Sequence, residues 1–243
     1  MADLITIGSL YLDGHPYPIG ERYRNFQPIS IGNSVSGQEI SWVVANGLLI
    51  ADRSLLTCIS WEDLFENHLI FGQKITVDGY SFQLRLLKVG ENDNDPNEWD
   101  AALDAVGDDS HDLWHWGKGY FWGQEGSLEG EFPLCPCRGY NSARYRENIG
   151  AFRQYALAGY RPVLEPVCSN PNELTPGREM FIWIGQKLIR GCAEEVTDYD
   201  FVLSAGPEIN ADALDVEPFG AWMSDSRLII DNAKIDFFQV KKD

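Results

Sequence analysis

Between residues 91 and 161 the chain separates its charges and concentrates its rings, and that juxtaposition limits what it can fold into. Residues 91–132 hold twelve Asp or Glu against one Lys, interleaved with Trp99, Trp114, Trp116, Tyr120, Phe121 and Trp122. Residues 133–161 reverse the charge, with five Arg (Arg138, Arg144, Arg146, Arg153, Arg161) and one Glu. Gly and Asp punctuate the first stretch, so apart from a helix over 97–106 it reads as irregular. Such a segment is ordered only if its indoles bury large area, of order 150–250 Å² each. The expectation is a long loop packed on a sheet and fastened to the Arg-rich stretch by ion pairs and cation–π contacts.

Around this centre the pattern is mostly β. Short apolar runs at 4–7 and 10–12 are separated by Gly8-Ser9, and residues 14–40 read as loops. Asn46-Gly47, Asp78-Gly79 and Gly185-Gln186 each sit between two apolar runs, the signature of a tight hairpin. One helix start is explicit: Ser60, three residues before Asp63, forms an N-cap with an acidic partner, and Trp61, Leu64, Phe65 and His68 follow at helical spacing. After Asn170-Pro171 and Thr175-Pro176-Gly177 come further strands at 181–184, 187–189, 201–203, 228–230 and 234–240. The domain reading is 1–166, closed by the Arg-rich stretch, and a β-rich extension of unassigned role over 170–243.

The formal charge of −18 leaves no basic surface for phosphate neutralisation, so direct nucleic-acid binding is not expected. No apolar run reaches membrane-spanning length, and Met1-Ala2-Asp3-Leu4 lacks the basic and apolar regions of a signal peptide. The five Cys are odd in number and scattered, which favours reduced thiols in a cytoplasmic setting. Cys135-Pro136-Cys137 has the wrong spacing for a redox or zinc pair and reads as small residues at a strand start.

The motifs N-E-W-D (97–100), W-H-W (114–116), F-W-G-Q-E (121–125), R-G-Y-x-S-A-R (138–144) and G-Y-R-P (159–162) together resemble the C-terminal half of formylglycine-generating-enzyme-like domains, the sulfatase-modifying-factor type. They are closer still to phage and prophage proteins of gut Firmicutes carrying R-G-Y-x-S-A-R and G-F-R-P. The runs 51–56 and 59–64 resemble the same group. The resemblance covers about residues 1–166. It implies an α+β, β-rich, C-type-lectin-like fold with a β-rich extension. In some relatives the stretch between the two Arg motifs, here 140–158, carries variable residues on a fixed scaffold.

On that reading Trp99, Trp114, Trp116, Trp122, Arg138, Arg144 and Arg161 are structural anchors. Arg can fasten several carbonyls or carboxylates at once, and Gly139 and Gly159 allow close backbone approach. The ligand-binding candidates are Tyr140, Asn141, Tyr145, Arg146, Asn148, Phe152, Gln154 and Tyr155, since Tyr, Asn and Arg make adaptable surfaces. The bland alternative makes Phe152 and Tyr155 core and the others solvated.

Catalytic and cofactor signals are thin. The Cys pair that follows the R-G motif in the oxidases is missing between 138 and 162, so that activity does not carry over. His111-Asp112-Leu113-Trp114-His115 approximates H-E-x-x-H, with Asp in place of Glu and no third ligand evident. Asp93 and Asp95 open like a calcium loop, but Glu98 stands where Gly is required and Asp104 where Glu is. No catalytic residue or resident cofactor is expected, with calcium at Asp93 and Asp95 as the alternative to a solvated acidic loop. The reading is a non-enzymatic phage or prophage binding protein, cytoplasmic in the host or virion-associated, whose face near 140–155 takes a protein or glycan. The rival is an acidic inhibitor masking a basic surface of a host defence protein, and the third is an enzyme using the Trp-rich loop as a pocket.

Overall fold

The computed structural model describes residues 2–24, 27–92, 95–170, 173–205, 220–222 and 227–242. They form three sheets. In the first, the strand order is His15–Pro16, Leu4–Leu12, Glu39–Ala45, Leu48–Ala51, Pro162–Pro166, Tyr80–Leu86 and Gln73–Val77, with Ile29–Gly32 also paired to Leu4–Leu12. The second runs Ser142–Gly150, Leu134–Gly139, Tyr120–Trp122, Ala158–Tyr160, Leu56–Thr57 and Glu21–Arg22. The third runs Gly220–Trp222, Arg227–Asp231, Asp200–Ala205, Lys187–Val196, Glu179–Ile184 and Phe237–Val240.

The expected α+β class is corrected. Helix makes up 11% of the described residues. Among the described residues the α-helices are α1 (Trp61–Glu66), α2 (Glu98–Val106) and α3 (His111–Trp114), the last a single turn. Helices this short do not form a layer, and the sheets pack on one another instead. The lectin-like fold expected with that class falls with it. In the extension the expected strand over 234–240 is shorter, Phe237–Val240, and is preceded by a 3-10 turn, Asn232–Lys234.

Local chemistry sets the hairpins. Asn46 and Gly47 take φ of 49° and 73°, and Asp78 and Gly79 take 50° and 88°, the left-handed pair that two-residue turns require. Gly8 joins the two expected N-terminal runs into one strand. At φ 68° it absorbs the register shift between Ile7 and Ser9, and a Cβ there would lie 2.7 Å from Val77. In α1, Ser60 and Asp63 form the full reciprocal capping box.

Three cores result. The largest lies between the sheets and includes Trp42, Phe82, Leu84, Trp61, Trp122 and Tyr160. A second joins Val43, Ile50 and Val163 to Trp99, Trp114 and Phe121. The third lies on one face of the extension, around Met180, Ile182 and Leu203. Alternate residues of the same strand, Phe181 and Trp183, turn into the first core. Tyr80 stacks on Phe181 with centroids 3.8 Å apart, and Gln239 donates to the Ser81 carbonyl at 2.7 Å, so the extension is docked on the first sheet. Among the described residues, no helix is long and apolar enough to cross a membrane.

Candidate binding site

The candidate segment is a hairpin followed by a crossing loop. Leu134–Gly139 and Ser142–Gly150 pair antiparallel around Tyr140-Asn141. Gly139 sits at φ 105°, where a Cβ would meet the Gly119 carbonyl oxygen at 2.6 Å, and the Tyr140 amide donates to the carbonyls of Trp116 and Gly119, both at 2.9 Å. The turn is thereby sewn to the loop that precedes it. Gly159 is equally close to its neighbours: a Cβ added there would lie 2.6 Å from Ser54 Oγ. Residues 151–157 then return to Ala158–Tyr160, which lies parallel to Tyr120–Trp122.

The anchor candidates lie at the contacts between this hairpin and the acidic loop. Arg138 donates to the Val89 carbonyl (3.1 and 2.7 Å), to the Arg144 carbonyl (2.8 Å) and to Asp100 (2.8 Å). Arg144 reaches Asp104 at 2.6 Å. Arg161 is fully buried, with its guanidinium 5.2 Å from the Trp99 ring and 4.5 Å from the Phe121 ring, and it donates to the Trp114 carbonyl. Each anchor indole also gives its N–H to a backbone carbonyl: Trp99 to Ala143, Trp114 to Asp108, Trp116 to Asp109 and Trp122 to Ile59. A buried ring N–H left without such a partner would destabilise the loop, so these bonds fix where each ring can sit. The stretch expected to be irregular is more ordered than its sequence indicates, containing α3 and the strand Tyr120–Trp122.

The ligand candidates do not form one surface. Tyr145 and Arg146 open onto a charged cleft of about 750 Å³, walled by Arg138, Arg144, Asp100 and Asp104. Asn148 and Tyr155 open onto a different, largely apolar groove of about 520 Å³. Its other walls include Tyr120, Leu134, Ile149 and Leu157. Tyr140 stacks on Tyr120, with centroids 5.0 Å apart and planes 11° apart, and Asn141 is exposed at the turn. Phe152 is half exposed. Gln154 instead donates to Asp63 at 2.9 Å, tying the crossing loop to the capping carboxylate of α1.

The groove residues that the sequence did not single out include Leu134, Glu147, Ile149 and Leu157. Their apolar or isolated-charge character gives no local sign that they line a groove. Yet of the eleven large apolar side chains exposed among the described residues, six lie within 132–157: Phe132, Leu134, Tyr140, Phe152, Tyr155 and Leu157.

The other chemical candidates are engaged within the fold. Cys135 and Cys137 are buried in the strand, and burial pushes their thiols up to about 11 and about 12. His111 accepts the Gly117 amide at 2.9 Å, and His115 meets Arg53 at 3.0 Å. Asp93 lies outside the described residues, while Asp95 accepts the Asn92 amide at 2.8 Å. Among the described residues no group of three or more His, Cys, Asp or Glu is placed to hold a metal. An opening of about 440 Å³ between the first and third sheets gathers Glu39, Asp78, Arg190 and Lys241. There Asp78 receives the Ser34 amide at 2.8 Å, and Glu179 pairs with Lys241 at 2.7 Å and with Arg190. No family model, curated protein or solved structure matches the chain.

Proposed function

We propose that the chain is a non-enzymatic binding protein and that its working surface is the apolar groove beside the hairpin, with a protein as ligand. The carrying observation is the clustering of exposed large apolar residues within 132–157. Monomeric proteins leave single apolar side chains exposed without consequence, whereas a contiguous patch beside a groove marks an interaction site. The motif resemblance to phage and prophage proteins supports reading it as a phage-encoded product acting on a host protein. The test is affinity capture from host lysate by the wild-type chain and by a Leu134→Asp/Tyr155→Asp variant. Proteins retained by the first and lost by the second, at equal melting temperature, support the reading. Identical capture by both refutes it.

A second reading, an acidic inhibitor covering a basic host surface, draws on where the cations go. Arg53, Arg85, Arg138, Arg144, Arg190 and Arg227 all pair with carboxylates of the same chain. With a formal charge of −18, the surplus is acidic and available to a partner. Strong weakening of capture by added salt supports this second reading, and indifference to salt removes it.

A further inference from the structure

The apolar groove carries one charge. Of the side chains lining it, Glu147 alone is ionisable as an acid or base near neutral pH. It is exposed and, among the described residues, forms no ion pair. Among the described residues its carboxylate accepts the Asn148 amide at 3.0 Å and the Tyr145 hydroxyl at 3.3 Å. This contrasts with Asp100 and Asp104 on the opposite side of the hairpin, which Arg138 and Arg144 already occupy.

Aromatic rings lie close to that carboxylate, Tyr145 through its hydroxyl and Tyr120 as a wall of the same groove. Tyr120 stacks on Tyr140, and Tyr145 tilts against Tyr120 with centroids 6.4 Å apart. Burial, followed by the neighbouring Tyr145, Cys137 and Glu147, pushes the Tyr120 phenol up to about 12, so the ring stays neutral. Neutral aromatic rings beside an unpaired carboxylate attract a cation both by charge and by the ring quadrupole.

We infer that the groove takes a basic and apolar segment of a protein partner. An Arg or Lys head pairs with Glu147 and lies against the Tyr120–Tyr140–Tyr145 cluster, while an adjacent bulky apolar side chain fills the space between Leu134, Ile149, Tyr155 and Leu157. This rests on the proposed binding role of the groove and specifies its ligand. Three features favour this occupant. The cavity of about 520 Å³ falls in the usual range of binding clefts, ~300–1,000 Å³. Phe132 and Phe152, in the segments that flank the groove residues in sequence, are exposed as well, more apolar surface than a small cation would use. A second copy of this chain carries the same −18 charge and would be repelled.

The probe is a phage-displayed library of random linear peptides, selected on the full-length chain. Enriched peptides are synthesised and titrated by fluorescence anisotropy against wild type, Glu147→Gln, Glu147→Lys and Leu157→Asp, each checked for an unchanged melting temperature. The expected peptides place Arg or Lys beside a bulky apolar residue. Glu147→Gln should weaken them by about tenfold to a hundredfold, the worth of a charge-assisted bond, and Glu147→Lys should abolish binding, as should Leu157→Asp. Enriched peptides that depend on Leu157 but ignore Glu147 overturn the basic-segment inference and leave the groove's binding role standing. A library that yields nothing dependent on Leu157 overturns both. A concentration-dependent dimer in analytical ultracentrifugation, lost in Leu157→Asp, assigns the groove to a second copy and also overturns the inference.

Discussion

Replacing Arg161 by lysine keeps a charge and removes a shape. The residue is 1% exposed, its guanidinium lies against both the Trp99 and Phe121 rings, which themselves meet edge to face, and it holds the Trp114 carbonyl. An ammonium on a flexible stem has no planar fork with which to contact both rings and keep that bond. The lost charge-assisted bond costs about 1.5–3 kcal/mol and the lost desolvated cation–π contact about 2 kcal/mol. Arg161→Lys should therefore be destabilised by about 3–5 kcal/mol, which for a chain of this size lowers the thermal midpoint by about 6–20 °C. Arg161→Met tests the same site from the other side. Burial opposes the cation there and pulls the guanidinium down to about 9 despite the nearby Asp52 carboxylate. Methionine removes that opposed charge and leaves chiefly the Trp114 carbonyl unpaired, at about 1–3 kcal/mol. Urea unfolding of the three proteins decides the matter. Arg161→Lys within ~1 kcal/mol of wild type, or Arg161→Met less stable than Arg161→Lys, would refute the shape-and-stacking account.

Three shorter expectations follow from the same geometry. Gly139→Ala forces a Cβ to 2.6 Å from the Gly119 carbonyl at φ 105° and should destabilise by about 2–4 kcal/mol, whereas Gly37→Ala, at φ 79° in open space, should lose only about 1–2 kcal/mol; paired urea titrations compare them. Iodoacetamide at mildly alkaline pH should label exposed Cys168 rapidly and leave Cys135 and Cys137 unlabelled until the chain unfolds, as read by peptide mass spectrometry. Burial alone would raise the Glu179 carboxyl, but Lys241 and Arg190 override it and hold it below its ordinary value of 4.5. Its contribution is thus present above 4.5 and is lost as pH falls through the lowered folded value, so Glu179→Gln should flatten the acid limb of the stability–pH curve.

What could be read from sequence was what nearby residues decide. The turns at Asn46-Gly47 and Asp78-Gly79 follow from two φ angles each. Helix α2 follows from its Asn97 cap and from Gly107, left-handed at φ 68°. Pairings between distant segments were not legible. Nothing local tells Tyr120–Trp122 that it will lie parallel to Ala158–Tyr160, or tells Phe181 and Trp183 that they will enter the first core while Met180 and Ile182 build another. The α+β expectation failed for a related reason: α1 and α3 are too short to bury a face of their own, so the sheets supply one another's cover. At the candidate site, residue type marked a segment but could not divide it. Tyr145 and Arg146 line the charged cleft, Asn148 and Tyr155 line the apolar groove, and Gln154 is taken up by Asp63. Leu134 and Leu157 were missed because an apolar residue reads as core until its exposure is known.

The crossing loop shows why that exposure bears on function. Its position is set by backbone bonds and one amide side chain: Ala151 N–H to the Pro133 carbonyl at 3.0 Å, Tyr120 N–H to the Leu157 carbonyl at 2.7 Å, Ala158 N–H to the Tyr155 carbonyl at 3.0 Å, and Gln154 to Asp63. The side chains of Phe152 and Leu157 take no part in these bonds and stand about half exposed. Serine in their place would keep every one of these bonds and shed apolar surface that otherwise invites aggregation. Phe152→Ser/Leu157→Ser should therefore leave the urea midpoint near that of wild type, since surface changes away from caps, cores and buried bonds fall within about 0.5 kcal/mol each. If it does, the scaffold does not need these rings and chains, and their apolar character belongs to whatever they touch. A drop of more than about 2 kcal/mol would mean instead that both pack in solution, and the groove would lose its standing as an open surface.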